Sequence, residues 1–376
     1  MSQPGVRPLE VLLSRDHLRQ MVHLVRLLHR LSQLPTYHAM VDPVLPETAR
    51  YHSGPSGLPM GYDFHITPQG PRLIEVNTNA GGLLLAWLAH HDGDLFDWRS
   101  QIPQKIIKDA LASPLAAAFR QEARLAGVEV QRAVILDDTP EGQFLYPEMV
   151  IYQHLFQAMG WQAVIASPQE LTMDANGVYW QGEAVQLIYN RHCDFYLETP
   201  AMAGLAAAWM GQKVALTPHP RVYGLLADKR RMPLWQEGSL LARCGFSAEE
   251  VAWVQQWIPA SGMLENFSGD EIWQERKKWV LKPVTSFGSR GVVLGESMSR
   301  TRFNSLTPAT TLVQEMVPPS LVVHGEEKLK CDWRLFAYQD RILAVAARLY
   351  KGQVTNLRSE GSGFAKVIIK GGLTAG

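Results

Sequence analysis

Apolar residues recur at helical spacing near the amino terminus and at strand spacing soon after it. From residue 16 to residue 34, leucine, valine and methionine return every three or four positions, and Ser14 is placed to cap the first turn. This spacing predicts an amphipathic helix. Residues 62–66 and 72–76 are strand-like runs joined by a turn at 68–70, and we expect them to pair as a hairpin.

The middle of the chain predicts a strand, a helix and a second strand in succession. Residues 133–136 and 163–166 are short apolar runs typical of buried strands, and residues 146–160 between them have a helical pattern. The run at 185–190 predicts a further strand of the same sheet. Ligands of such sheets bind beyond the carboxyl ends of the strands, so the residues that follow them are candidates for a site.

Charged residues stand where this sheet is expected to bind a ligand. Arg191 and Asp194 follow the run at 185–190, and Glu148 lies in the segment after the first strand. The guanidinium of Arg191 suits a substrate carboxylate. A pocket of mixed charge would suit an amino acid or a peptide, so we take these three as candidate substrate-binding residues. The alternative is that the acids of this region cap a helix.

Helices are also predicted on either side of this unit. Residues 83–120 have a mainly helical pattern, and residues 217–220, TPHP, interrupt the chain further on. We expect a helix to restart over residues 225–231, with Lys229 in its first turns. The basic residues of this run could serve a ligand or could simply be solvated.

The stretch of residues 279–295 combines two strand-like runs with a glycine-containing loop. Lys282 ends the first run as a point charge, and glycines in the loop let backbone N–H groups approach phosphate oxygens. The residue order is not that of a P-loop. We interpret the stretch as a nucleotide phosphate clamp, the alternative being a surface hairpin with a solvated lysine. The loop residues of interest are Ser286, Gly288, Ser289 and Gly291.

Composition restricts the class of protein. A chain of 376 residues is expected to form two or three subdomains. Its 36 basic and 36 acidic residues leave no net charge to attract nucleic acid or an anionic membrane. The 3 cysteines are far apart and form no CxxC pair, which argues against zinc and against a secreted disulfide framework. No apolar run is long enough to span a bilayer, and we expect a soluble cytoplasmic protein.

Oxygen-bearing side chains cluster on the hairpin predicted over residues 62–76. Glu75 and Asn77 are two positions apart on one strand and so leave the same face, and Asp63 on the partner strand can lie near them. Two carboxylates and an amide carbonyl suit Mg²⁺, which shares its coordination sphere with substrate phosphates. The alternative is that Asp63 and Asn77 are turn residues and Glu75 is solvated.

A second hairpin is predicted near the carboxyl terminus. Residues 331–338 and 342–350 are strand-like around a turn at Asp340, and Arg334 and Arg348 lie on the facing strands. An arginine pair beside an oxygen-rich site suits charge that develops on a phosphoryl group. The alternative is that both are exposed strand-edge charges. Residues 311–319, just before, read as a strand that ends at two prolines.

Taken together, these motifs resemble the ATP-grasp superfamily. Lys229 resembles its first lysine, and Lys282 with the loop from Ser286 to Gly291 resembles its second lysine and glycine-rich loop. Asp332 and Arg334 resemble its D-x-R strand. The remaining matches are Gln314, Glu315, Met316 and Val317 with the adenine hinge, and Arg348 and Asn356 with the later arginine and asparagine.

The order of the motifs is unusual for that superfamily. Its metal-binding end, G-x-D followed by E-x-N, occurs here at residues 61–77, before the other motifs instead of after them. The resemblance therefore implies an α/β (α+β) chain with a circularly permuted ATP-grasp fold and a Rossmann-like preceding substrate domain, closest to the branch that includes glutathionylspermidine synthetases. We expect a permuted metal-binding part and helical connection over 1–129, a substrate domain over 130–225, a nucleotide lid over 226–311 and a core sheet over 312–376.

The resemblance also implies an activity, that of a carboxylate–amine ligase. ATP and Mg²⁺ would be its cofactors, and an acid and an amine of the amino acid, peptide or polyamine class its substrates. Asp63, Glu75 and Asn77 would hold the metal, and Arg334, Arg348 and Asn356 would act on the transferring group. No nucleic acid or membrane is expected as a partner, and related ligases are often homodimers. A kinase of the same fold and a non-catalytic nucleotide-sensing protein remain alternatives.

Overall fold

The structure, a computed structural model, describes residues 5–90, 102–285 and 291–371. Its strands are β1 Val6–Ser14, β2 Met60–Thr67, β3 Gly70–Asn77, β4 Arg132–Leu136, β5 Gln162–Ala166, β6 Leu171–Met173, β7 Val178–Trp180, β8 Glu183–Val185, β9 Leu187–Asn190, β10 Ala215–Thr217, β11 Ser261–Met263, β12 Trp279–Pro283, β13 Val293–Leu294, β14 Thr311–Glu315, β15 Ser320–His324, β16 Glu327–Tyr338, β17 Arg341–Tyr350 and β18 Gly363–Lys370.

The helices lie between and around these strands. They are α1 Arg15–Ser32, α2 Pro35–Val41, α3 Glu47–Arg50, α4 Leu83–Ala89, α5 Gln104–Ala112, α6 Pro114–Leu125, α7 Tyr146–Ala158, α8 Ala203–Met210, α9 Pro220–Val222, α10 Arg231–Gln236, α11 Gly238–Arg243, α12 Ala248–Trp257, α13 Gly269–Gln274 and α14 Arg300–Asn304. Among the described residues, no helix combines the length and the apolar character that a bilayer crossing requires.

The largest sheet brings together both predicted hairpins. Its strand order is β1-β18-β17-β16-β2-β3, and β15 also pairs with β16. β2 and β3 form the predicted hairpin, with Asp63 opposite Glu75, and β16 and β17 form the second one. β2 pairs with β16 so that Asp63 lies beside Arg334, although the two residues are 271 positions apart in sequence.

Alternation along β16 sorts its side chains between the two faces of this sheet. Trp333 and Leu335 pack into a core that includes α1, whereas Phe336 packs into a second core with α4, α5, α6 and α7. Because successive side chains on a strand point to opposite faces, Asp332 and Arg334 share the second face with Phe336. The charged residues of β16 are thus directed toward the side of the sheet that carries α4.

The amino-terminal helix is confirmed, and a strand precedes it that the sequence analysis did not identify. The side-chain oxygen of Ser14 accepts a hydrogen bond from the backbone of His17 at the start of α1, as expected for a cap. β1 comes before it and pairs in parallel with β18. Leu9, Val11 and Leu13 alternate along β1 and are buried, which is the signal that identifies a strand with one buried face.

The strand–helix–strand unit is confirmed as part of a four-stranded parallel sheet, with the order β10-β9-β4-β5. The continuous strand predicted over residues 185–190 is wrong in part, because β8 ends at Val185 in a separate three-stranded sheet and β9 begins at Leu187. Gln186 separates them. Its side-chain oxygen accepts hydrogen bonds from the backbone N–H groups of Gln131 and Arg132.

A small antiparallel sheet contains the phosphate-clamp stretch. Its order is β11-β14-β12-β13, and the predicted pairing of β12 with β13 is confirmed. β14 pairs with β12 and β11, so this strand lies in the small sheet and not in the seven-stranded one. The loop residues 286–290 lie outside the described residues.

The continuous helix predicted over residues 225–231 is wrong in part, because residues 228–230 interrupt it. α9 continues as a π-helical stretch, Tyr223–Ala227, and then stops, because Asp228 has an extended backbone. The carboxylate of Asp228 accepts a hydrogen bond from the backbone N–H of Arg230, a side-chain interaction that competes with helix formation. α10 begins only at Arg231, so Lys229 lies in a turn between two helical segments.

Glu122 on α6 is completely buried and links several segments through hydrogen bonds. Its carboxylate accepts hydrogen bonds from the backbone N–H groups of Ser56 and Gly57 and from the hydroxyl groups of Thr217 and Tyr338. Burial raises the pKa of Glu122, and these four hydrogen bonds oppose that shift. The residue joins the end of β10, the end of β16 and the loop before β2.

Replacing Glu122 with Gln should destabilise the fold. The amide can accept at one oxygen only, so at least one buried donor loses its partner, at a cost of about 1–3 kcal/mol. Denaturant unfolding measures the change. Glu129→Gln, at an exposed position close by, is the matched control and should change stability by less than about 0.5 kcal/mol. Equal changes in the free energy of unfolding for both substitutions would show that the hydrogen bonds of Glu122 do not stabilise these segments.

Candidate active site

The predicted site residues of the seven-stranded sheet share one face. Tyr62 and Phe64 on β2 and Val76 on β3 point into the core that includes α1, so the residues that alternate with them point to the other side. Those residues are Asp63, Glu75 and Asn77, and they face the same side as Asp332, Arg334 and Arg348. The structure therefore brings together side chains from both ends of the sequence.

Asp332, Arg348, Asp63 and Arg334 form a hydrogen-bonded series of alternating charge, here called the charge chain. Arg334 donates through Nε and Nη2 to both oxygens of Asp63, at 2.6 and 2.7 Å. Arg348 lies 2.8 Å from the same carboxylate and donates through Nε and Nη2 to Asp332, at 2.5 and 3.0 Å. All four side chains are at most 10% exposed. The arginines predicted to share this site are neither exposed nor at a strand edge.

Burial and the two guanidinium groups compete at Asp63. Burial alone would raise the pKa of its carboxyl group, but Arg334 and Arg348 outweigh that effect and lower the pKa to about 2. Thr355, which the sequence analysis did not single out, donates its hydroxyl to Asp332. Its neighbour Asn356, a predicted catalytic residue, is exposed, and its side-chain oxygen accepts from the backbone of Arg358.

Two lysines from distant segments approach the same hairpin. Lys229 Nζ lies 3.0 Å from Glu75 Oε1, and Lys282 Nζ donates to Ile74 O at 3.1 Å and to Gln314 Oε1 at 2.6 Å. Burial is the main reason that the pKa of Lys282 falls to about 8, while the charge of Glu75 opposes the shift and that of Lys229 adds to it. The two lysines predicted to bind phosphate therefore stand side by side with Glu75.

The predicted adenine hinge, residues 314–317, lies at the end of β14 next to Lys282. The backbone N–H groups of Glu315 and Met316 donate to Ala260 and Lys278, and the carbonyl of Val317 is 2.6 Å from the His65 ring. The carboxylate of Glu315 accepts from Arg72 at 2.6 Å. Of the predicted loop residues, Gly291 has φ of 72°, whereas Ser286, Gly288 and Ser289 lie outside the described residues.

The predicted substrate residues do not form one group. Arg191 donates to Glu148 at 2.8 Å in a buried ion pair. Glu148 also accepts from the backbone N–H groups of Gly82 and Leu84 at the start of α4, so it does cap a helix. Asp194 instead accepts from two backbone N–H groups of its own loop.

The loop before α4 connects Arg191 to the charge chain. The carbonyl of Gly81 accepts from Arg334 Nη1 at 3.3 Å, and a Cβ at Gly81 would lie 2.7 Å from Arg191 Nη2. Only glycine leaves room for this approach. Asn79 holds the same loop through hydrogen bonds to the carbonyls of Asn190 and His192. Arg191, just after the carboxyl end of β9, and Arg334, on β16 of the seven-stranded sheet, thus flank one loop.

The three predicted metal ligands differ in their fit to a cation. The part of the chain that the structure describes contains no group of three histidine, cysteine or acidic side chains that could hold a metal. Asp63 does not fit, because both of its oxygens accept from guanidinium groups. Glu75 fits, with a side chain 28% exposed and one oxygen near Lys229. Asn77 fits as well, since its amide nitrogen donates to Asp63, which leaves its carbonyl oxygen as the atom that would bind a cation.

Comparison with solved structures identifies the fold. The chain is similar to a glutathione synthetase-like effector from Globodera pallida, with a TM-score of 0.59, 10% identity and coverage of 95% of this chain and 88% of that chain. It is also similar to a protein assigned as a gamma-glutamylcysteine synthetase from Methylobacillus flagellatus KT, with a TM-score of 0.51, 12% identity and coverage of 91% and 87%. No family model and no curated protein matches the sequence. At such low identity the likeness shows the fold alone, an α/β fold that this chain shares with both proteins.

Replacing Arg348 with Ala should strongly destabilise the protein. The substitution leaves Asp332 without its bidentate partner at a buried position, and breaking such a pair costs about 3–5 kcal/mol. Denaturant unfolding of Arg300→Ala is the control, because Arg300 forms an exposed pair with Asp270 that contributes about 1 kcal/mol or less. A loss below about 1 kcal/mol for Arg348→Ala would contradict the charge chain as described.

Proposed function

We propose that this ATP-grasp-like chain is an ATP-dependent ligase that joins a carboxylate to an amine through an acyl-phosphate intermediate. The observation that carries the proposal is the convergence of four buried cations, Lys229, Lys282, Arg334 and Arg348, on one face. Three carboxylates lie beside these four cations, those of Asp63, Glu75 and Asp332, so the site holds a surplus of positive charge. A polyanion such as a nucleoside triphosphate matches that surplus.

In this proposal the two lysines bind the α and β phosphates of ATP. Lys229 and Lys282 come from different segments yet stand beside the same hairpin, which suits a ligand that needs several point charges at once. The hinge formed by Gln314, Glu315, Met316 and Val317 would bind the adenine. The loop with Ser286, Gly288, Ser289 and Gly291 would cover the phosphates. Mg²⁺, held by Glu75 and Asn77, would neutralise phosphate charge.

The reaction requires two displacements. A carboxylate oxygen of the acid attacks the γ-phosphorus, and the bond to the β-phosphate oxygen breaks to release ADP. The amine nitrogen then attacks the acyl carbon, phosphate leaves, and the nitrogen loses a proton to give the amide. Most of the catalysis is positioning and charge stabilisation, a role that suits Arg334 and Arg348, with Asn356 as a further candidate.

The acid is proposed to bind at the loop before α4. Arg191 and Arg334 flank Gly81 there, so a substrate carboxylate could be held near Arg191 while its reacting group approaches Arg334. Glu148 would act through Arg191, with which it is paired, and Asp194 would contact the substrate from its own loop. The substrate class is an amino acid, a peptide or a polyamine. We place this activity in the cytoplasm, in a homodimer.

The most informative test is release of ADP across pools of amino acids, peptides and polyamines. The proposal predicts that ADP appears only when an acid and an amine are both present, and that hydroxylamine can replace the amine and yield a hydroxamate. ADP release with one substrate, without hydroxamate, would indicate a kinase. Nucleotide binding with no ADP release in any pool would indicate a non-catalytic protein.

Replacing Glu75 with Gln should abolish turnover and leave the fold intact. The substitution removes one metal-binding charge and creates no cavity. ADP release should fall at least about a hundredfold, while the unfolding midpoint should stay close to that of the wild type. Glu10→Gln, at an exposed position on β1, should retain full turnover. Wild-type turnover by Glu75→Gln would contradict the proposal.

Nucleotide binding should weaken as the pH rises from 7 to 9. Lys282 has a pKa of about 8, so its ammonium is present below this pH and is lost above it. A bound phosphate favours the charged form, and affinity should fall by up to about tenfold for each pH unit above the pKa. Titration calorimetry with a non-hydrolysable ATP analogue measures this. Lys282→Arg should bind with little pH dependence over the same range, and an identical decline in that variant would exclude Lys282 as its cause.

A further inference from the structure

We infer that Asp63 is a positioning residue for Arg334 and Arg348 and is not a ligand of the metal. This inference rests on the proposed function, because it assigns roles within the same site. It separates Asp63 from Glu75 and Asn77, with which the sequence pattern groups it. The hydrogen bonds that each side chain already makes distinguish the two roles.

Both oxygens of the Asp63 carboxylate already have side-chain partners. Its Oδ1 accepts from Arg334 Nε at 2.6 Å, and its Oδ2 accepts from Arg334 Nη2 at 2.7 Å and from Asn77 Nδ2 at 3.2 Å. Arg348 Nη2 adds a contact to Oδ2 at 2.8 Å. Oδ2 therefore accepts two or three charge-assisted hydrogen bonds and offers a cation little remaining lone-pair density, while Oδ1 is held against Arg334 by the same bidentate pair.

Withdrawing Asp63 from the arginines would be costly. The other hydrogen bond of Arg334 among the described residues runs from Nη1 to the carbonyl of Gly81, and its side chain is only 10% exposed. A buried guanidinium that loses its bidentate carboxylate keeps its charge without compensation. Glu75 is different, because its side chain is 28% exposed and its ion pair among the described residues is to Lys229 alone. Releasing Glu75 toward a cation therefore costs much less.

The strand itself is shaped for the pairing of Asp63 with Arg334. The two residues lie directly opposite each other in the antiparallel pair of β2 and β16. Gly61, two positions before Asp63, lies under the arginine, and a Cβ there would be 2.7 Å from Ala80 Cβ and 3.3 Å from Arg334 Cδ and Nε. A larger residue would clash with Ala80 and crowd the side chain of Arg334. The G-x-D sequence at residues 61–63 thus provides the space and the carboxylate that hold Arg334 in place.

This arrangement separates two functions within the site. Glu75 and Asn77 provide the protein ligands of the cation, and Asp63 fixes the direction of the guanidinium groups that act on the transferring phosphoryl group. Substitution of Asp63 should therefore lower the rate of the reaction without weakening binding of the cation. Substitution of Glu75 should weaken binding of the cation itself.

The test measures Mn²⁺ binding by electron paramagnetic resonance in the presence of a non-hydrolysable ATP analogue. We expect Asp63→Asn to bind Mn²⁺ within threefold of the wild type, and the control Glu75→Gln to bind it at least tenfold more weakly. A weakening of tenfold or more in Asp63→Asn would overturn the inference. Because Asp63→Asn leaves Arg334 uncompensated, the double variant Asp63→Asn/Arg334→Gln removes both charges together and serves as the version expected to fold. Its Mn²⁺ affinity is judged by the same threshold.

A double-mutant cycle of unfolding free energies, measured without nucleotide, separates this inference from the proposed function. Denaturant unfolding of Asp63→Asn, Arg334→Gln and the double variant should show strong coupling, so that the double variant is no less stable than the less stable single variant. Additive losses would overturn the pairing. A wild-type protein that takes up no Mn²⁺ with the nucleotide analogue would instead overturn the proposed function, whatever the result of the cycle.

Discussion

The series of ion pairs from Asp332 through Arg348 and Asp63 to Arg334 crosses three strands, β17, β16 and β2, at buried positions. Charges removed from water are tolerated only when each one is paired and hydrogen-bonded. The series therefore fixes the register of these strands. A slip by one residue would turn its members into the core that holds Trp333 and Tyr62. The geometry of the whole site depends on this constraint, because Glu75 and Asn77 follow from the pairing of β3 with β2.

Local patterns in the sequence predicted much of this fold. The period of two identified the hairpins that carry Asp63 and Glu75 and, later, Arg334 and Arg348, and helical spacing identified α1. The same pattern correctly placed Glu75 and Asn77 on one face. These features depend on residues close together in sequence, whose geometry follows from the backbone itself. The helix predicted near Lys229 is interrupted, because the side chain of Asp228 competes with the backbone for hydrogen bonds.

The partners of the site residues could not be predicted in the same way. That Asp63 is bound by arginines from two other strands depends on which strands lie side by side, and no local signal gives this for residues 271 positions apart. The same holds for Glu122, whose four donors come from three separate segments. Both lysines of the site already have protein partners: Lys229 faces Glu75, and Lys282 donates to the amide oxygen of Gln314. A nucleotide would have to replace these contacts with phosphate oxygens.

A carboxylate that is activated by phosphorylation transfers one of its oxygen atoms to the phosphate, and isotope labelling detects this transfer. An acid that supports ADP release is labelled with ¹⁸O in its carboxylate, and the phosphate formed in the complete reaction is analysed by mass spectrometry. We expect one ¹⁸O atom in each phosphate released, because the bridging oxygen of the acyl phosphate comes from the acid and leaves with the phosphate. Unlabelled phosphate would contradict it, since ATP would then be hydrolysed by water or used without an acyl phosphate.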